Sequence, residues 1–194
     1  MIGKSASFWL LHRLGLKPAD TQLTPAEQRC LERRASGRRS LLEIGVMHGA
    51  STGLMRRAMA ADGVLTGLDP HPPGRLGVSF ERWIAEREVG KYARGQVELL
   101  RKLSHEAVSS WTRALDFLFI DGDHSWKGID RDWRGYSPFV KAEGVVLLHD
   151  SRSVPWREDP ESVRYTATVI LKDPRFRAVE EVDSLTVLER LKEE

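Results

Sequence analysis

Asp121, Asp123 and His124 stop an apolar run, Leu115-Asp-Phe-Leu-Phe-Ile120, and His149 and Asp150 stop a second one that begins at Gly144. Charge is costly to bury, so acids and imidazoles at the ends of apolar runs mark where the chain meets water or a ligand. These residue types suit proton transfer. An imidazole has an ordinary pKa of about 6.5 and takes a hydroxyl proton at neutral pH, which makes His124 the candidate general base. Asp123 either orients His124 or caps the helix that follows. His149 reads as a hydrogen-bonded structural residue rather than a second base.

A second cluster is Glu43-Ile-Gly45-Val-Met-His48-Gly49-Ala-Ser51-Thr, with Asp69 further along. Glycine lets the backbone approach a ligand, and a helix opening here offers free N–H groups. The G-x-G-x-x-G fingerprint of dinucleotide sites is absent, because Met47 stands midway between Gly45 and Gly49. Asp69, at a strand end, is placed to accept hydrogen bonds from a ribose diol. A diol acceptor without a pyrophosphate cradle points to a nucleoside ligand.

The elements that position these residues follow from patterning. Residues 117–120 have the composition of a strand buried on both faces. Strands are expected at 41–46, 64–68, 97–100, 115–120 and from 144 onward. Helices are expected at about 5–14, from Pro25 onward, at 50–61, 80–92, 104–113 and 162–171. The second helix starts with Thr24 as N-cap, Pro25 at the first helical position and Glu27 closing a capping box. Ile129, Trp133, Tyr136 and Val140 recur on one helical face. Asp183-Ser184 separates runs 176–182 and 185–191 closely enough for a hairpin, so these two strands should be antiparallel. Five βα units and a hairpin imply an α/β fold: a Rossmann-like three-layer sandwich on a mostly parallel seven-stranded sheet with a C-terminal antiparallel hairpin. Residues 1–38 read as an N-terminal helical extension and 39–194 as the main domain.

Composition excludes several classes. A chain 41% hydrophobic and 30% charged, with net charge +2, is an ordinary globular protein without the bias of a polyanion binder. Arg33, Arg34, Arg38 and Arg39 surround a Ser-Gly turn and read as a solvated helix end rather than an RNA contact. The lone Cys30 excludes an intrachain disulfide and suits a reducing cytoplasm. The apolar run 8–11 is too short to span a membrane. The expectation is a cytoplasmic protein with neither nucleic acid nor membrane as partner.

From about Leu41 to the C-terminal hairpin the chain resembles the class I S-adenosylmethionine-dependent methyltransferases. It is most similar there to small-molecule O-methyltransferases of sugars, antibiotics and catechols, whose fourth strand commonly ends Ile-Asp-Gly-Asp-His, as at 120–124 here. The resemblance implies S-adenosylmethionine as cofactor. Glu43, Gly45, Gly49 and Ser51 would line its methionine and ribose side, with Asp69 on the ribose hydroxyls. Ser104 would lie by the adenine, within Lys102-Leu103-Ser104 rather than the family's Gly-x-Ser. Asp121 would border the cofactor and, with Asp150, orient the acceptor oxygen. In catechol-type relatives the positions of Asp121 and Asp150 hold a divalent cation, joined by an Asn or Asp where this chain has Ser151. Mg²⁺ is therefore a candidate second cofactor, since it takes oxygen ligands and keeps several waters. His124 falls where those relatives place a basic lysine. The implied acceptor is a small hydroxylated molecule, and the implied assembly at most a homodimer. Acceptor choice would lie in the N-terminal helices, the 71–77 loop and residues 152–160, with Trp126 and Trp156 either an aromatic wall or part of the core.

Three rivals compete. Gly49-Ala-Ser51-Thr-Gly53 matches the nucleophile pattern of α/β-hydrolases, with acids and His149 later in the chain. Against an esterase using Ser51, that serine falls within a helix start rather than on an elbow. A nucleic-acid amine methyltransferase would want Asn/Asp-Pro-Pro-aromatic after the fourth strand, where Asp121-Gly-Asp-His stands, and the chain has no Asn. A nucleoside-binding protein without catalysis would not need the clustered acid and imidazole.

Overall fold

The computed structural model describes residues 4–74 and 77–192. Positions 75 and 76 of the 71–77 loop therefore lie outside the described residues. The helices are α1 (Lys4–Arg13), α2 (Pro25–Ala35), α3 (Ala50–Ala58), α4 (Phe80–Val89), α5 (Ser104–Ala107), α6 (Trp126–Tyr136) and α7 (Glu161–Thr168). The strands are β1 (Ser40–Ile44), β2 (Val64–Leu68), β3 (Gln96–Leu100), β4 (Leu115–Ile120), β5 (Val140–Leu148), β6 (Phe176–Val182) and β7 (Leu185–Arg190). They form one sheet in the order β3-β2-β1-β4-β5-β7-β6. The first five strands pair in parallel, while β7 runs antiparallel to both β5 and β6. The expected architecture holds, including the hairpin.

Register determines where the chemistry goes. Leu100 pairs with Leu68, Leu68 with Ile44, Ile44 with Ile120, and Ile120 with Leu148. The residues that follow these five therefore emerge along one edge, among them Asp69, Gly45, Asp121 and His149. Strand order reverses between β1 and β4, and the carboxyl ends of a parallel sheet open a crevice at such a point.

Alternate side chains of β4 enter opposite cores. Leu118 and Ile120 join Ile129, Trp133 and Tyr136 of α6 and Tyr165 of α7. Phe117 and Phe119 join Cys30 and Leu31 of α2 and Met55 of α3. The capping box of α2 is complete, with Thr24 accepting from the Glu27 N–H and Glu27 accepting from the Thr24 N–H at 2.8 Å. No described helix is long and apolar enough to cross a membrane.

Several element boundaries differ from expectation, three of them for a local reason. After Ala107 the fifth helix tightens into a 3₁₀ turn, where the Ser109 and Ser110 hydroxyls donate to the carbonyls of Glu106 and Ala107 and compete with α-helical bonding. Pro138 lacks an N–H and sits in a second 3₁₀ turn after Tyr136, so Val140 begins β5 instead of closing α6. The third helix stops at Ala58 because Met59 is already extended.

Candidate active site

A cavity of about 550 Å³ opens along the sheet edge, bordered by the β1–α3 loop, Asp69, residues 102–105, residues 121–124 and the α6 residues Gly128, Arg131 and Asp132. That volume suits a small ligand or cofactor. Of the residues singled out in the sequence, Gly45, Ser51, Asp69, Ser104, Asp121 and His124 line it.

Gly45 has φ of 91°, and a Cβ there would lie 2.0 Å from the carbonyl oxygen of Asp121. Only glycine lets the ends of β1 and β4 meet this closely. Gly49 also has positive φ, but its missing Cβ makes room for the Ala85 backbone of α4 at 2.9 Å. It does not line the cavity, and its part is helix packing beneath the loop. Glu43 is fully buried and accepts from the Ser51 and Thr52 hydroxyls, so it lies behind the cavity wall. Burial pushes its carboxyl up to about 8, opposed by those two hydroxyls. Glu43 thus meets the cavity only through Ser51, which lines it.

Asp69 fastens the loop. One oxygen accepts from the N–H groups of Val46 and Met47 at 3.0 and 2.8 Å, and the other from the His71 N–H at 2.8 Å. A carboxylate offers about four lone-pair sites, so one acceptor site remains after these three bonds. Met47 has φ of 48°, the sort of strained backbone that clusters at ligand clamps. Ser104 donates to Asp132 at 2.5 Å. Asp132 is 3% exposed, and burial raises its carboxyl to about 6.

At the other end, His124 stands between two carboxylates: Nε2 is 3.4 Å from Asp121 and Nδ1 is 3.2 Å from Asp150. Nε2 is buried without a hydrogen-bond partner. His149 Nδ1 donates to Asp121 at 2.8 Å, and Nε2 lies 3.2 Å from Asp150 and 3.7 Å from Glu27. Burial works against charge on His149, yet Asp121, Glu27 and Asp150 outweigh it and hold its pKa up at about 10. These acids favour its protonated form. Burial would raise Asp121 as well, but the two imidazoles bring it below the ordinary carboxylate value. Glu27 is likewise pulled down to about 2, against burial, by His149, Ser184 and the Thr24 N–H. Asp123 accepts from the Ser125 N–H at 2.9 Å and shapes the turn into α6 instead of orienting His124.

A divalent cation on Asp121 and Asp150 does not fit this arrangement. One Asp150 oxygen is paired with Arg157, and the other takes the Ser184 hydroxyl at 3.2 Å. Ser151, at the third ligand position, turns its hydroxyl to Leu148 and Thr186. Among the described residues, the candidate ligands within 4.8 Å of one another are Asp121, His124 and His149.

The remaining candidates are placed as follows. Ser51 lies in the first turn of α3, bonded to Glu43 with no histidine partner, so a hydrolase triad is not assembled. Trp126 packs edge-on against Tyr165 and Trp156 is 61% exposed; neither lines the cavity. Arg33 and Arg34 both grip Glu180, at 2.6 and 2.7 Å. The sequence reading passed over Asp20, Thr21, Gln22, Arg131 and Asp132 in the lining, and it took Glu27 only for a capping residue.

A family model described as a methyltransferase domain matches residues 42–151. Among similar solved structures, an O-methyltransferase from Bacillus cereus in complex with SAH is 17% identical with TM-score 0.65, over 97% of this chain and 91% of that one. The O-methyltransferase TomG from Streptomyces achromogenes, involved in tomaymycin synthesis and in complex with SAM, is 17% identical with TM-score 0.66, over 98% and 91%. The N-methyltransferase NodS from Bradyrhizobium japonicum is 12% identical with TM-score 0.59, over 85% and 94%.

Proposed function

The chain belongs to the methyltransferase-domain family, and on that premise we propose that it moves a methyl group from S-adenosylmethionine to the hydroxyl of a small molecule. The observation that carries this reading is the continuity of one cavity from the Gly45 loop and Asp69 to Asp121 and His124. Bound there, the cofactor supplies an electrophilic methyl on a sulfonium, open to in-line displacement. Asp69 would hold the ribose diol, Ser51 and the loop N–H groups the methionine end, and Ser104 the adenine side.

Oxygen is favoured over nitrogen as the acceptor atom by the acid–imidazole pair. A neutral amine attacks with its own lone pair, whereas a hydroxyl must give up a proton to become a good nucleophile. His124, which lines the cavity beside Asp121, would take that proton. Asp121, held by His149, keeps the imidazole and the acceptor oxygen in line. The cofactor's sulfur would be the leaving group, and His124 would keep the hydroxyl proton.

Thermal unfolding with S-adenosylmethionine, S-adenosylhomocysteine, NAD and ATP tests the reading. The first two should raise the melting temperature, because a ligand that binds only the folded state stabilises it. Stabilisation by NAD alone would overturn it.

A further inference from the structure

We infer that Arg157 takes the place of a divalent cation in this site, so that the enzyme needs no metal. The carboxylate of Asp150 is 4% exposed and already carries a fixed positive charge in its ion pair with Arg157. Its remaining neighbours are His124 Nδ1, His149 Nε2 and the Ser184 hydroxyl, each at 3.2 Å. No carboxylate face is left for an ion that keeps several waters. Arg157 cannot be deprotonated in a protein, so the charge it supplies is permanent.

The second carboxylate is matched in the same way. Asp121 receives the Nδ1 proton of His149 at 2.8 Å. Each acid that a cation would bridge is therefore already engaged by a side chain of the protein's own. Arg157 belongs to the irregular segment between β5 and α7, a stretch free to differ without disturbing the sheet. It acts as a positioning residue: by neutralising Asp150 it leaves that acid oriented toward His124 rather than toward an ion. The catalytic meaning rests on the methyl-transfer reading above, whereas metal binding reports on the carboxylates alone, so failure of one is distinguishable from failure of the other.

Electron paramagnetic resonance of Mn²⁺ added to chelator-treated full-length protein is the test. At millimolar Mn²⁺ the wild type should leave the spectrum of the free aquo ion unchanged. Arg157→Met, which keeps the apolar stem and removes the charge, should bind Mn²⁺, and adding Asp150→Asn should abolish that binding. Arg157→Lys should stay silent like the wild type, with circular dichroism checking the fold of each variant. Mn²⁺ bound by the wild type and lost in Asp150→Asn would overturn the inference, as would a folded Arg157→Met protein that binds none.

Discussion

His124 is held between Asp121 and Asp150 at 3.4 and 3.2 Å, and its replacement should separate binding from transfer. His124→Ala is expected to slow methyl transfer by about 10²–10⁴-fold, the usual loss of a general base. Affinity for S-adenosylhomocysteine should be nearly unchanged by calorimetry. Asp69 acts at the opposite end of the cavity and fastens the loop through three backbone N–H groups. Asp69→Ala should weaken S-adenosylhomocysteine by roughly 10- to 150-fold, the equivalent of a lost charge-assisted hydrogen bond of about 1.5–3 kcal/mol. Unchanged affinity would remove Asp69 from the ribose site. These residues were legible because an acid or imidazole ending an apolar strand has no packing reason to be there. Arg157 was not, since its partner Asp150 is met through an irregular segment with no periodicity to read. Glu27 was hidden differently: the capping box already explained it, and only the fold reveals that its other oxygen accepts from Ser184 at 2.7 Å, with His149 nearby.

Among the elements, the β1–α3 loop depends most sharply on one residue type. Gly45→Ala would drive a Cβ into the Asp121 carbonyl at a positive φ and should destabilise by at least about 1–3 kcal/mol in urea unfolding. Gly37→Ala has the same sign of φ with nothing within 4 Å, and it serves as the control for backbone strain alone. A Gly45→Ala loss no larger than the Gly37→Ala loss would show that the two strand ends do not press on each other. The mostly parallel sheet and the hairpin followed from the alternation of strands with helices and from turn residues. Helix ends were less legible, because Ser109, Ser110 and Pro138 shorten helices through local hydrogen bonding and ring geometry that a hydrophobic repeat does not register. Gly49 shows the limit for motifs: its spacing suggested a ligand, while its cause is the passage of α4 beneath the loop.

At the scale of the whole molecule, a buried chain of charge ties the N-terminal helices to the sheet edge. Glu27 of α2 joins Ser184 of the hairpin and His149 of β5's end, and His149 joins Asp121. Removing one member of a buried pair strands the other, so Glu27→Ala should cost about 3–5 kcal/mol in denaturant unfolding. A loss under about 1 kcal/mol, the scale of a helix cap, would reduce Glu27 to capping. Glu43 adds a pH dependence of known sign. Its carboxyl moves from an ordinary 4.5 to about 8 in the fold, so the native state keeps a proton that the unfolded chain releases between those values. The resulting stability is full below about pH 4.5 and is lost as pH rises through about 8. Glu43→Gln should flatten that decline when unfolding free energy is followed from about pH 5 to about pH 9; an equal slope in both proteins would place the titration elsewhere.

The central claim is that one cavity at the carboxyl edge of the sheet holds an S-adenosyl ligand beside His124. Hydrogen–deuterium exchange by mass spectrometry, with and without S-adenosylhomocysteine, tests it directly, because bound ligand slows local opening where it sits. Protection should appear in peptides covering residues 45–51, 69–71, 102–105 and 121–124, and the β6–β7 hairpin should be unchanged. Protection confined to the hairpin or to the irregular end of α7, or no protection at saturating ligand, would contradict the account.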